Sequence, residues 1–104
     1  MHELYAQVRP AAYVIAEIEV TDREGFVQEY QPAVERANPD LRPLARGGRT
    51  EVFKGEAPKR IILWAFKDMD EARAAFTHPA YTEALAIGSR YAKFRIFAVE
   101  GVTP

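Results

Sequence analysis

Residues 60–81 read RIILWAFKDMDEARAAFTHPAY, and this stretch combines two patterns from which the fold can be predicted. Its first part is an apolar run of six residues, 61–66. A short run rich in β-branched and aromatic residues is typical of a strand buried on both faces. From Asp68 the apolar residues change to helical spacing, and Asp68 with Glu71 forms a capping-box-like helix start. The stretch therefore predicts a buried strand followed directly by a capped amphipathic helix.

The composition is that of an ordinary globular domain. Of the 104 residues 48% are hydrophobic and 28% charged, and the formal net charge is −1. This length predicts one domain, and the charge gives no electrostatic reason to expect nucleic acid or an anionic membrane as a partner. The absence of cysteine excludes disulfides, thiolate catalysis and cysteine-ligated metals. Because the first residues lack the apolar core of a signal peptide and no run approaches ~20 apolar residues, we expect a cytoplasmic protein.

The first strand is predicted over residues 12–20, after an N-terminal extension over residues 1–11. The single domain is expected to cover residues 12–101. Side chains alternate between the two faces of a strand. One face is purely apolar and is expected to lie under the helices; it carries Val14, Ala16, Ile18 and Val20. The other face mixes Tyr13, Ile15, Glu17 and Glu19.

Helix one is predicted to begin at a capping box formed by Thr21 and Glu24. Its apolar stripe contains Pro32, which predicts a kink because proline cannot donate the helical hydrogen bond. The turn residues 38–40 predict its end.

Turn residues divide the rest of the chain. Strand two is predicted over residues 41–46, broken by Gly47-Gly48 and resumed over residues 50–54. Helix two is expected to break at residues 77–79, with Thr77 or His78 as cap and Pro79 at the first position of a short helix. Gly88 is expected to cap the end of that helix, and residues 91–99 predict strand four.

The element order β-α-β-β-α-β is typical of the ferredoxin-like α+β sandwich. We therefore expect a four-stranded sheet of antiparallel type with its helices on one face. Strands one and three are expected to lie at the centre and parallel, with strand four antiparallel to strand one.

A series of short segments also carries a family resemblance over residues 12–101. The segments are residues 12–22, Tyr30, residues 45–48, residues 51–52, the strand ending at Phe66, residues 69–74, Pro79 with Tyr81, and residues 99–101. In their order and spacing the chain resembles the small bacterial proteins of domain of unknown function 1330. The resemblance implies a homodimer in which two ferredoxin-like sheets close face to face as an α+β barrel.

Relatives with that architecture include cofactor-free monooxygenases, muconolactone-isomerase-like enzymes and haem-dependent chlorite dismutases. The family itself has no established reaction, so the resemblance carries over no catalytic residue. The chain departs from the family pattern at Ala65, where an acid is usual, at His78, where a serine is usual, and at residues 38–40, where a glycine pair is frequent. The missing acid weakens the case for a shared acid-dependent reaction.

Glu17 and Arg95 are the first candidate site pair. Antiparallel pairing that places Tyr13 near Val99 sets Glu17 opposite Arg95, on the face away from the helices. Such a pair either orients a carboxylate or carbonyl ligand in a partly dry cavity or is a cross-strand ion pair that sets the dimer register.

His78 has two interpretations, a general base near neutral pH or a helix cap beside Pro79. No second histidine or cysteine lies near enough to build a metal site, so no metal is expected. The resemblance to cofactor-free barrel relatives implies that no cofactor is needed either. Trp64 and Tyr81 either line a pocket between helices and sheet or belong to the core. The same two interpretations apply to Phe26, Tyr30 and Phe66.

Arg42, Arg46 and Arg49 surround Gly47-Gly48. Arginines beside glycines suggest phosphate binding, but no helix follows as it does in dinucleotide or Walker loops. A glycine bulge with solvated charges is the other interpretation.

Two classes of function follow. The first is a cofactor-free enzyme or binding protein for a small apolar or carbonyl- or carboxylate-bearing molecule. Its expected ligand contacts are Tyr13, Glu17, Trp64, His78, Tyr81 and Arg95, of which His78, Glu17 and Arg95 are the catalytic candidates. The second is a non-catalytic dimeric module that acts in stress response or regulation through protein contacts. A cavity with unpaired polar groups favours the first class, and a barrel filled by side chains favours the second.

Overall fold

The computed structural model describes residues 10–103. In chain order the elements are β1 (Ala12–Val20), α1 (Arg23–Gly25, Phe26–Tyr30 and Gln31–Ala37), β2 (Ala45–Arg46), β3 (Arg60–Phe66), α2 (Met69–Thr77), α3 (Pro79–Gly88) and β4 (Ala92–Glu100). Most of the predicted N-terminal extension lies outside the described residues; of its end, the Ala11 carbonyl accepts a hydrogen bond from the Gly101 amide at 2.6 Å. None of the helices in the described part of the chain is long and apolar enough to cross a membrane.

The predicted ferredoxin-like α+β sandwich is confirmed, with strand order β2-β3-β1-β4. One expectation was wrong: β1 and β3 are antiparallel, as are all neighbouring strands. The reason is topological. Helix α1 connects β1 to β2 so that the two strands run in the same direction. The β2–β3 connection then reverses the direction of the chain. A strand placed between β1 and β2 therefore runs opposite to both.

Strand β1 divides its residues between the two faces as predicted except at its last residue, Val20, which was expected under the helices but is 36% exposed. Ala12, Val14, Ala16 and Ile18 are all at most 3% exposed, because the helices cover them. They form the centre of two apolar clusters, one with Phe26 and Tyr30 of α1 and one with Phe66 and Ala72. The opposite face, which we call the open sheet face, carries Tyr13, Ile15, Glu17 and Glu19 of β1, and no helix within residues 10–103 covers it.

Helix α1 begins one residue later than predicted. Asp22, not Thr21, is the N-cap, and its Oδ1 accepts a hydrogen bond from the Gly25 amide at 3.2 Å. The Thr21 amide instead donates to the Tyr91 carbonyl at 2.8 Å. This bond holds Thr21 at the end of the β1–β4 pairing, so its side chain does not cap the helix.

Pro32 is accommodated by a change of helical type. Residues Phe26–Tyr30 form a π-helical segment, and the Gln31 amide donates to the Phe26 carbonyl five residues earlier. Pro32 then falls in the first turn of the following α-helical segment, where its missing N–H costs little. Single π turns inside α-helices occur frequently at functional sites.

Strand β2 is shorter than predicted, and residues 50–54 form no strand. Pro43 has no amide to donate, so pairing with β3 starts at the Leu44 amide, which lies 2.7 Å from the Leu63 carbonyl. The register Ala45↔Leu63 leaves residues 50–54 facing residues 54–58 across the loop. No strand can pair there, because those residues form the turn itself, with Gly55 at φ 91°.

The α2–α3 junction follows the prediction in part. Asp68 caps α2, since its Oδ1 accepts from the Glu71 amide at 2.9 Å, and Pro79 begins α3. His78 occupies the N-cap position of α3 but its side chain makes no capping hydrogen bond. Gly88 is not a left-handed cap either, because α3 ends with Ser89 as C-cap and Gly88 has no positive φ.

Gly88 instead allows a close approach between α3 and the buried Tyr30 ring. A Cβ at residue 88 would lie 2.5 Å from Tyr30 Cδ1 and 2.9 Å from Phe94 Cζ. We therefore expect Gly88→Ala to lower the free energy of unfolding by about 2 kcal/mol, because the packed rings must shift. Urea denaturation measures the change. Gly48→Ala is the control, since a Cβ there has no neighbour within 4 Å; equal effects of the two substitutions would contradict the packing argument.

Candidate ligand cavity

The two faces of the sheet separate the residues that the sequence suggested as ligand contacts. Tyr13, Glu17 and Arg95 lie on the open sheet face, in the register Tyr13↔Val99 and Glu17↔Arg95 that the sequence predicted. Trp64 pairs with the buried Val14 and so lies on the helix side. Tyr81 comes from α3 and also lies on the helix side. The predicted single constellation is therefore not formed within one chain.

A cavity of about 330 Å³ lies between α1, α3 and the helix side of the sheet. We call it the helix–sheet cavity. Its interior is mostly apolar and aromatic, lined by Ala16, Ile18, Phe26, Tyr30, Val34, Ile62, Trp64, Phe76, Tyr81 and Ile96. A second space of about 340 Å³ lies against α2 and β4 and shares Phe76, Tyr81 and Ile96 with it. The rings of Phe76 and Tyr81 thus form the wall between the two.

Tyr30 enters the cavity from the π segment of α1. Its ring packs between Phe26 and Phe94, with centroid distances of 5.0 and 5.2 Å. Tyr81 reaches the cavity from α3, and its ring meets Phe76 edge to face at 4.9 Å. Both tyrosines are at most 6% exposed. Packed rings of this kind fix the direction in which each hydroxyl points.

Neither tyrosine hydroxyl has a hydrogen-bond partner within residues 10–103. Both oxygens are nevertheless accessible. Every inaccessible polar side-chain atom in that range has a hydrogen-bond partner, and these two oxygens have none. Because both oxygens are accessible, each hydroxyl can donate to a ligand oxygen that enters the cavity.

Both phenols are neutral near physiological pH. Burial raises the pKa of Tyr30 to about 12. Burial also raises the pKa of Tyr81, and the nearby Tyr30 phenol raises it further. A neutral phenol keeps its proton and can donate it in a hydrogen bond. The cavity therefore presents two O–H donors in an apolar surrounding.

Trp64, the only tryptophan in the chain, lies in the wall of the helix–sheet cavity. Its indole ring meets Phe76 at a centroid distance of 5.1 Å with an interplanar angle of 62°. Its N–H has no hydrogen-bond partner among the residues that the structure describes. The cavity thus contains an intrinsic fluorophore with a free donor.

Charged side chains stand at the mouth of the cavity. Arg46 of β2, Arg60 of β3 and Glu35 of α1 contribute to the lining. Both arginines are exposed, and neither forms an ion pair within the described range. The sequence pattern had grouped Arg46 with Arg42 and Arg49 around the glycines, but Arg42 donates to the nearby Pro39 carbonyl at 3.0 Å and neither Arg42 nor Arg49 lines the cavity.

Arg60 was missed as a site residue in the sequence. There it marks only the start of the buried strand, and the register that sets it opposite Ile18 depends on strand order. Its position on the helix side of β3 follows from period-two alternation with Ile62 and Trp64. That alternation was the one feature of the sequence from which the position of Arg60 on the helix side of the sheet could have been predicted.

His78 links the end of α1 to the α2–α3 junction. Its Nε2 lies 3.0 Å from Asn38 Oδ1, and the Asn38 side-chain amide donates to the Ala75 carbonyl at 3.0 Å. Asn38 lines the helix–sheet cavity whereas His78 does not. The structure therefore places His78 in an interhelical contact and not among the side chains of the cavity wall.

Glu17 is bonded on both sides on the open sheet face. Arg95 Nε lies 3.6 Å from Glu17 Oε1, and the Lys59 amide donates to Glu17 Oε2 at 3.2 Å. The Arg95 side chain is 72% exposed and lies 5.5 Å from the centroid of the Phe97 ring. An exposed pair of this kind contributes at most about 1 kcal/mol. Glu17 anchors the end of the β2–β3 loop as well as the neighbouring strand.

No cluster of three or more histidine, cysteine or carboxylate residues able to hold a metal ion occurs in residues 10–103. The polar groups that line the cavity are phenols, an indole, side-chain amides, two guanidinium groups and the Glu35 carboxylate.

Comparison with known proteins agrees with this fold. A family model described as domain of unknown function (DUF1330) matches residues 11–102. No curated protein matches the chain. Among solved structures, a protein of unknown function from Rhodopseudomonas palustris has a TM-score of 0.58 at 13% identity, covering 100% of this chain and 95% of that one.

Two further solved structures have the same fold. A dimeric ferredoxin-like protein of unknown function from Thermobifida fusca has a TM-score of 0.58 at 19% identity, covering 88% of this chain and 92% of that one. SnoaB, a cofactor-independent oxygenase from Streptomyces nogalater, has a TM-score of 0.59 at 7% identity, covering 91% and 96%.

Proposed function

This chain belongs to the family described as domain of unknown function 1330, and from that premise we propose that it is a homodimer that binds a small, largely apolar molecule in the helix–sheet cavity. The ligand carries a carbonyl or similar acceptor oxygen, and no cofactor takes part. Trp64 and Tyr81, two of the contacts expected from the sequence, belong to this site, and Tyr30 joins them.

The observation that carries the proposal is a pair of tyrosines lining the cavity whose hydroxyls have no hydrogen-bond partner within residues 10–103. Binding pockets of about 300–1,000 Å³ with mostly apolar walls and few polar groups are usual for small ligands, and about 330 Å³ lies at the lower end of that range. Two phenol donors on residues that line an apolar space match one acceptor oxygen on an otherwise apolar molecule. The same donors would stabilise negative charge developing on that oxygen during a reaction.

The homodimer is supported by the composition of the open sheet face. Tyr13, Phe97 and Val99 are 36–48% exposed there, next to Ile15 and Leu63. An apolar sheet face without a helix on it gains free energy when a second sheet covers it about 10 Å away. The Thermobifida fusca relative is described as dimeric.

A second candidate function is a dimeric interaction module without a ligand. Its specific support is Phe53, which is 92% exposed in the β2–β3 loop beside the partly exposed Val52. An exposed aromatic next to another apolar residue is a feature of protein contact surfaces. A protein of this class has no need of a cavity that accepts small ketones.

Titration with acetophenone, an apolar ketone, tests the ligand site. We expect saturable quenching of Trp64 fluorescence, because the indole lies in the cavity wall. The double substitution of Tyr30→Phe with Tyr81→Phe removes both donors and keeps both rings, so we expect affinity to fall about tenfold.

The control is Tyr91→Phe, which also removes a phenol hydroxyl but lies outside the cavity and bonds to Glu29. It is expected to bind acetophenone like the unmodified chain. No saturable quenching, or equal affinity in the double variant, would contradict the ligand site and favour the interaction module.

A further inference from the structure

The charged residues at the mouth of the helix–sheet cavity indicate which group the ligand carries at the end away from its acceptor oxygen. We propose that Arg46 and Arg60 bind a carboxylate there, so that the natural ligand is a monocarboxylate with an acceptor oxygen at its far end. This inference rests on the proposed function, because it assigns the second end of the ligand in the same cavity.

Arg46 and Arg60 stand on neighbouring strands and on the same side of the sheet. Arg46 pairs with Ile62, and Arg60 lies two residues along β3 from Ile62. Diagonal neighbours of this kind lie about 7–8 Å apart, which long side chains span easily. Two guanidinium groups can therefore converge on one carboxylate, the anion that their planar donor geometry fits.

Three other cations of the described residues form ion pairs with carboxylates. Arg95 pairs with Glu17, Arg73 with Asp70, and Lys59 with Glu19. Within residues 10–103, Arg46 and Arg60 have no such partner. They are thus cations at the cavity mouth that form no ion pair with a carboxylate of the described residues.

Gly47 leaves room for the Arg60 guanidinium. It has φ 64°, which favours glycine, and a Cβ at this residue would lie 3.1 Å from Arg60 Cζ and 3.2 Å from Nε. A side chain at residue 47 would press on the guanidinium group. The glycine after β2 therefore allows the Arg60 guanidinium to lie close to the backbone beside the cavity.

Glu35 limits the charge that the mouth accepts. It is the carboxylate that lines the cavity with the two arginines, so the mouth carries one net positive charge. A single carboxylate balances that charge, whereas a dicarboxylate or a phosphate dianion would face repulsion from Glu35. The geometry therefore favours a monoanion.

Matched probe pairs test the assignment. Calorimetric titrations compare 4-acetylbenzoate with 4-acetylbenzamide, and 3-(4-acetylphenyl)propanoate with its amide, the second pair allowing for a longer cavity. We expect at least one acid to bind at least tenfold more tightly than its amide, and this ratio to fall as the salt concentration rises. In the Arg46→Gln, Arg60→Gln double variant the acid is expected to bind no better than the amide.

The control is the Arg42→Gln, Arg49→Gln double variant, which removes two nearby arginines outside the cavity and is expected to keep the preference for the acid. Equal binding of acid and amide to the unmodified chain, with acetophenone still bound, overturns the carboxylate assignment and leaves the proposed ligand site standing. Loss of the preference in the control variant overturns it as well. Failure of all the ketones to bind overturns both proposals together.

Discussion

Replacement of Leu63 by glutamate is expected to convert the proposed homodimer into folded monomers. Leu63 lies in the centre of the open sheet face, opposite Ile15 of β1 and Ala45 of β2. In a monomer the new carboxylate remains in water. In a face-to-face dimer two copies would be buried without partners, which is strongly unfavourable. We expect the dissociation constant to rise at least a thousandfold, or about 4 kcal/mol.

Sedimentation velocity over a range of protein concentrations measures this change. Val27→Glu is the matched control, because Val27 is a 42% exposed residue on α1, away from the open sheet face. Its dimer is expected to be as stable as that of the unmodified chain. A Leu63→Glu protein that still sediments as a dimer would place the interface elsewhere, and an unmodified chain that sediments as a monomer would contradict the dimer itself.

Replacement of Phe76 by alanine is expected to lower the free energy of unfolding by about 3 kcal/mol. The Phe76 ring contacts the rings of Trp64, Phe66 and Tyr81 at centroid distances of 5.1, 5.9 and 4.9 Å. It also lines both the helix–sheet cavity and the second space beside it. Truncation removes these contacts and leaves the two spaces joined, and Phe→Ala changes in cores typically cost about 3–5 kcal/mol. Because Phe76 is only partly buried, the lower end of that range applies.

Urea denaturation at one fixed protein concentration measures the loss, since a dimer's apparent stability depends on concentration. Phe53→Ala is the control, because that ring is 92% exposed; its effect is expected to stay within about 0.5 kcal/mol. A loss below about 1 kcal/mol in Phe76→Ala would mean that the ring does not hold the cavity wall together.

Local patterns in the sequence predicted most of the elements. Alternation in residues 12–20 identified β1 and its buried face, and Asp68 and Pro79 marked the starts of α2 and α3. These features depend on neighbours within a few residues, so the sequence contains them directly. Features that depend on a distant partner were less predictable. Thr21 is not the cap of α1, because its amide bonds to Tyr91.

The proposed ligand site depends on tertiary structure to a greater degree. Trp64 and Tyr81 were suggested as ligand contacts by their residue types, and the Glu17–Arg95 pairing was predicted from strand register. The sheet nevertheless separates these two pairs onto opposite faces, and the sequence contained no measure of which face encloses a cavity. The role proposed for Arg60 likewise follows only from its position in the folded sheet.

The sequence by itself therefore determined the order of the elements and most of their types and buried faces, because periods of 2 and 3.6 residues decide which side chains share a side. Only the tertiary structure decided that Tyr30, Tyr81 and Arg60 meet at one cavity. These residues come from α1, α3 and β3, and strand order and helix packing bring them together. A cavity is the volume that packing leaves empty, so it is a property of the assembled layers and not of any one segment.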